Sequence, residues 1–167
     1  MTAATKDLNT PLREGDWAEY PVATGVKIYA GTIVCLNASG YAAPGADTAA
    51  FKFAGIAQEY VDNSAGANGA VTVKVRTRGV AKLTGSSLAI TDVRKPVFAK
   101  FDNEVDKATT TNAIFVGFIE EYVSATAAWV RFDASGRAAG FVADASAGSA
   151  AEINALRDAL IANDGMA

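Results

Sequence analysis

A chain of 167 residues suits one domain, or two very small ones sharing a core. Half of it is hydrophobic, enough for a packed interior, although alanine supplies much of that half and buries little area. A net charge of -3 and a pI near 4.9 argue against a protein that grips nucleic acid or lies on an anionic membrane, since both surfaces demand neutralising cations.

The chemistry available to the chain is narrow. It has no histidine, which removes the commonest general base and the commonest zinc ligand. Its single cysteine, Cys35, has no internal partner for a disulfide and sits in the apolar run Ile33-Val34-Cys35-Leu36, where it reads as a buried strand residue. No nucleophile–base pair, phosphate loop or metal-ligand spacing is present in the sequence, so no catalytic residue, metal or cofactor is expected. The first ten residues lack the basic and apolar regions of a signal peptide. The longest apolar run, residues 113–119, falls far short of the roughly 20 that a membrane helix needs. The expectation is a soluble, cytoplasmically synthesised, non-enzymatic protein.

Residues 1–21 read as an extended polar arm anchored by Leu8, Leu12, Trp17 and Tyr20 and punctuated by Pro11, Gly15 and Pro21. Residues 22–133 read as a β domain. Short Val-, Ile-, Phe- and Tyr-rich stretches alternate there with Gly, Asn, Asp and Ser clusters. Strands are predicted at 26–29, 32–37, 53–60, 71–78, 80–84, 95–101, 114–123 and 128–132. Turns are predicted at 37–40, 62–69, 85–87 and 102–103. Residues 134–148 are rich in small side chains and read as a linker. Residues 149–163 read as a short α-helix: Ser149 and Glu152 form a capping box, and Asn163-Asp164-Gly165 supplies the stop. Its apolar stripe, Ile153, Leu156 and Leu160, needs a surface to pack on, because about three turns are marginal alone.

An internal repeat organises the β domain. Residues 53–61, FAGIAQEYV, align without gaps on residues 115–123, FVGFIEEYV, with identity at five of nine places and an offset of 62. Residues 33–40 match 97–104 in pattern, and 71–75 match 128–132. Two units, about 25–78 and 79–133, are therefore expected to close together into one small barrel or sandwich, because closure removes exposed strand edges. A glycine kept inside a strand of each unit, Gly55 and Gly117, marks a bulge or a close backbone approach.

The stretch 79–133 resembles a family of small phage proteins known as capsid cement or decoration proteins. The likeness is carried by Gly79-Val80-Ala81-Lys82-Leu83, Lys95-Pro96-Val97-Phe98, Asp102-Asn103, Thr109-Thr110-Thr111-Asn112, residues 115–120 and Trp129-Val130-Arg131-Phe132. The first unit looks similar in turn. The resemblance implies a β-rich fold, a place on the outside of a virion, the major capsid protein as partner, a homo-oligomer such as a trimer, and no catalytic residues. A phage tail-tube or tail-fibre subunit is the alternative, since such subunits are also β-rich, acidic and histidine-independent. A carbohydrate-binding module is a weaker one, resting on Trp17 and Trp129 as stacking platforms, and Trp129 reads as internal to a strand.

Three groups of residues are candidates for contacts. Lys74, Arg76 and Arg78 alternate with Val73, Val75 and Thr77, so the cations share one strand face. They join Leu8, Leu12, Trp17 and Tyr20 as expected capsid contacts, against the plainer reading of a solvated outer face. Ile153, Leu156 and Leu160 are expected at an oligomer interface, or else packed on their own β domain. Glu59, Glu120 and Glu121 occupy repeat-related positions and so are expected far apart rather than paired for acid–base or metal chemistry.

Overall fold

The computed structural model describes residues 15–108 and 110–134. The helix expected at 149–163, the linker beyond its first residue, and the site residues Leu8, Leu12, Ile153, Leu156 and Leu160 all lie outside the described residues. Within them run strands β1 (Trp17–Pro21), β2 (Lys27–Ile28), β3 (Ile33–Leu36), β4 (Ala42–Pro44), β5 (Lys52–Ala57), β6 (Val61–Asp62), β7 (Thr72–Arg76), β8 (Arg78–Gly85), β9 (Pro96–Phe101), β10 (Glu104–Asp106), β11 (Phe115–Ser124) and β12 (Ala127–Asp133). The helical content of these residues is one 3-10 turn at Ile90–Asp92. No helix among them is long and apolar enough to cross a membrane.

The fold is mainly β, with a closed five-stranded barrel. Strands β10-β8-β12-β11-β9 form that barrel, and β1-β7-β5-β3-β4 form a separate five-stranded sheet beside a β2–β6 ribbon. Read from β8, the barrel runs β8-β12-β11-β9-β10, the same order as the sheet read from β1. The repeat seen in nine residues is thus a repeat of topology. The barrel closes where β10 pairs in parallel with β8, Glu104 on Thr84 and Val105 on Gly85. The first sheet comes together at the same place through a single parallel bridge, Val22 on Ala42. One expected barrel is therefore two tandem five-stranded units, because each unit holds enough strands to pair its own first strand with its last.

The units share an interior. One apolar cluster joins Ile33, Cys35 and Ile56 of the first unit to Val97, Val116, Ile119, Val130 and Phe132 of the second. Phe53 meets Phe132 edge-on, with ring centroids 6.1 Å apart. A second cluster, Val22, Ile28, Val34, Ala54, Val73 and Val75 among others, belongs to the first unit alone. Each fully buried Val or Ile side chain stabilises the fold by about 1.5–3 kcal/mol. Polar ties reinforce the junction. Ile33 N donates to Asp102 O at 2.7 Å, and the Asp47 carboxylate accepts from the amides of Thr111 and Asn112 at 2.8 Å each.

The strand glycines do what their place in the sequence implied. A Cβ on Gly55 would stand 2.1 Å from Arg76 O, and one on Gly117 would stand 2.1 Å from Arg131 O. Register shifts lie beside both glycines, so each sits at a bulge where neighbouring backbone closes in. Gly55 also has φ +133°, a conformation that side-chain-bearing residues rarely adopt.

These equivalences correct the sequence alignment at two strands. Val22 N donates to Val71 O, and Gly85 N donates to Thr126 O. With Arg76 and Arg131 at equivalent carbonyls, β7 and β12 are related by an offset of 55, two residues from the register read in the sequence. An even slip leaves the same faces outward, so the pattern could not reveal it. On β3, Val34 opposes Gly55 as Val97 opposes Gly117, which shifts that match by one residue. Ile33, Val34 and Cys35 are all buried, so no alternation marked the register.

The arm is corrected at its inner end. Trp17–Pro21 is strand β1, antiparallel to β7, and belongs to the first unit rather than to an extended segment. Its sequence, WAEYP, has an acidic residue and a terminal proline, and its strand character comes from hydrogen bonding to β7. The first unit thus opens one strand earlier than the boundary at 25 implies, whereas the second opens at Arg78, one residue before 79.

Candidate interaction surface

The outward face of β1 and β7 brings together residues that the sequence offered as separate groups. Burial alternates along β7: Val73 and Val75 point into the core while Thr72, Lys74 and Arg76 are exposed. Trp17 pairs with Arg76 and Glu19 with Lys74 across the ladder. The Trp17 ring, still 36% exposed, lies under both cations, with Lys74 Nζ 5.2 Å and Arg76 Cζ 5.4 Å from its centroid. Such a stack holds an aromatic and two cations in one geometry for about 0.5–1 kcal/mol per contact.

Arg78 follows at the start of β8 and pairs with Asp16, while Arg76 Nε donates to Arg78 O at 3.2 Å. A cleft of about 290 Å³ opens here between the units, lined by Asp16, Arg76, Arg78, Gly79, Arg131, Phe132 and Asp133. Arg131 is bound to Glu120 at 2.5 Å, and this carboxylate raises the guanidinium's pKa further. The face is therefore aromatic and mixed in charge. Glu19 opposes Lys74 and Asp16 neutralises Arg78, which argues for shaped contact over bulk electrostatic attraction.

Tyr20 does not join this face. It alternates to the inner side of β1 and packs against the first unit's core. The period of two along β1 separates it from Trp17, which the reading of residues 1–21 as an arm without strand period had hidden.

The second unit carries an outward face that sequence reasoning passed over. Trp129 lies in strand β12 as expected but faces outward, 39% exposed, directly opposite Lys82. Arg131 stands opposite Val80 and Phe118, which are 43% and 38% exposed. In the corrected register Arg131 is the counterpart of Arg76 and Trp129 that of Lys74. Each unit thus displays a tryptophan, a lysine and an arginine on the same two strands. The signal was present in the alternation Trp129-Val130-Arg131-Phe132, parallel to Lys74-Val75-Arg76.

Several other titratable groups serve to hold strands and turns together. Glu59 accepts from Lys74 N at 2.9 Å, whereas Glu120 holds Arg131, so these acids serve different strands. No group of three His, Cys, Asp or Glu able to hold a metal occurs among the described residues. Burial pushes the Cys35 thiol up to about 12, leaving it a small core residue rather than a nucleophile. Asp92, almost fully buried, accepts from Lys107 Nζ, Lys95 Nζ and Ala89 N at 2.9 Å each, and the two lysines hold its carboxyl well below the usual range. Asp62 is held low in the same way by Lys27 and Ser64.

No family model matches this sequence, and neither a curated protein nor a solved structure shows significant similarity to it.

Proposed function

We propose that this chain is a non-catalytic structural module of a bacteriophage virion, which binds the outside of the capsid and stabilises it as a decoration or cement protein. The observation that carries the reading is the outward face of β1 and β7, where Trp17 lies under Lys74 and Arg76 beside Arg78. Trp and Arg are the residue types that most often dominate protein interfaces. Here they stand on paired strands of a two-unit block with a shared core, so little side-chain freedom remains to be lost on docking. The likeness of residues 79–133 to capsid cement proteins supplies the partner, the major capsid protein, and a homo-oligomeric form. Many copies engaging one shell make modest single contacts sufficient.

The test is to mix the purified protein with expanded empty capsids, then measure added density by electron microscopy and the capsid's thermal transition. Bound density and a higher transition temperature are expected, and reversing the charge of Lys74, Arg76 and Arg78 together with Trp17→Ala should abolish both. Unchanged occupancy by that variant would remove this face from the interface. Rings or tubes formed by the protein alone would instead favour a tail-tube subunit.

A further inference from the structure

An apolar hollow opens on the side of the molecule where Tyr20 points. It has a volume of about 320 Å³ and lies across the junction of the units, walled by Tyr20, Leu36, Phe51, Phe53, Ile114 and Phe115, with Lys52 at its rim. Several of these walls are only half-buried, so large apolar side chains stand open to water at a place that neither unit covers. Its volume is at the small end of ligand-site sizes, which run to about 300–1,000 Å³, and suits a few aliphatic side chains rather than a partner's whole face.

Asp133 and Ala134 form part of the same rim. The chain therefore leaves β12 at the edge of an uncovered apolar hollow. After it come 18 residues, 135–152, and then Ile153, Leu156 and Leu160, spaced for one helical stripe. We propose that this hollow is the docking site of the chain's own C-terminal segment, residues 149–163, with Ile153, Leu156 and Leu160 entering between Tyr20, Phe53 and Phe115. Chain length alone allows the reach: any 18 residues would span roughly 24 Å as an unstructured coil and about 60 Å at full stretch. Starting at the rim, a tether of that length holds the stripe at an effective concentration on the order of 1 mM. The same stripe from a second copy competes only when the protein itself approaches that concentration. Docking in cis also joins the two units from outside, since the hollow takes walls from β1, β3 and β5 on one side and from β11 and its approach on the other.

The full-length chain tests this through a pair of engineered thiols, Lys52→Cys at the rim and Arg157→Cys beside the stripe. Cys35 is buried and does not compete. At micromolar protein under mild oxidation, a monomeric, internally cross-linked product should dominate. It should form at least tenfold faster than in the same pair carrying Leu156→Asp and Leu160→Asp. Disulfide-linked dimers as the main product would assign the hollow to a neighbour's segment and overturn docking in cis. Equal rates with and without the aspartates would show that tethering alone brings the thiols together, and absence of any cross-link would place the segment elsewhere. Either result overturns the proposal.

Discussion

The two units share a strand order but hold themselves together differently. The second closes as a barrel, through a two-residue parallel ladder between β8 and β10 and an interior containing Phe132, Ile119, Val116 and Val97. The first has one bridge at the equivalent place and a private core made mostly of valine and alanine. It also has a longer connection after its glycine strand. Offsets of 62 before that connection and 55 after it leave the first unit seven residues longer there. Those extra residues bring Asn63, 1% exposed, whose side-chain amide donates to Val22 O, Ala23 O and Ala67 O at 3.1, 2.9 and 2.9 Å. Where apolar volume is short, a buried amide satisfying backbone carbonyls fastens the start of the unit to its loop.

The largest test of this contrast acts on what the units have in common. Gly55→Ala forces a Cβ onto Arg76 O and imposes an unfavourable φ, so a loss of about 4 kcal/mol in urea unfolding is expected. Gly117→Ala meets the same backbone collision without the positive φ and should lose about 2–3 kcal/mol. If the two losses were equal, φ strain would not distinguish the units. Next in size, Asn63→Ala strands carbonyls of the first unit and should cost about 2–3 kcal/mol. Hydrogen exchange should accelerate around residues 22–25 and 63–70 while β11 and β12 stay protected. Exchange rising equally in both units would mean that Asn63 supports the whole block.

Acidification probes both units. Asp62 in the first and Asp92 in the second have carboxyl pKa values lowered in the folded state from the ordinary 3.8, Asp62 chiefly by Lys27 and Ser64 and Asp92 by Lys107 and Lys95. A depressed folded pKa contributes stability that is present above the unfolded value and lost as pH falls through and below about 4. The thermal midpoint should therefore drop below pH 4, and Asp92→Asn should flatten that drop while lowering the midpoint at neutral pH. A profile unchanged by the substitution would remove Asp92 as a source of acid sensitivity. The smallest effect belongs to the surface: Trp17→Ala gives up the stack with Lys74 and Arg76 and should cost about 1–2 kcal/mol of stability.

Much of this molecule is legible from local pattern. Val73, Val75 and the cations between them declare a half-buried strand, and β12 declares itself in the same way, because a period of two is written in the side chains themselves. Asn37 and Gly40 mark their turn through hydrogen bonds confined to a few residues. The candidate surface was half visible: Lys74, Arg76 and Arg78 shared a face in the sequence, but Trp17 could not be placed on it. β4 and β10, Ala-Ala-Pro and Glu-Val-Asp, carry little strand signature and become strands because a neighbour's backbone pairs with them.

The sequence by itself determined that the chain is β-rich, that it repeats, and that a glycine must stand inside a strand of each unit, since these follow from side-chain alternation and from steric need at one position. Only the tertiary structure decided that β1 belongs to the first unit, that the second unit closes through β10, and that Trp17 lies under Lys74 and Arg76. Those outcomes depend on backbone hydrogen bonds between segments distant in the chain. The free energy of such pairing resides in the partner strand, so no local run of residues encodes it.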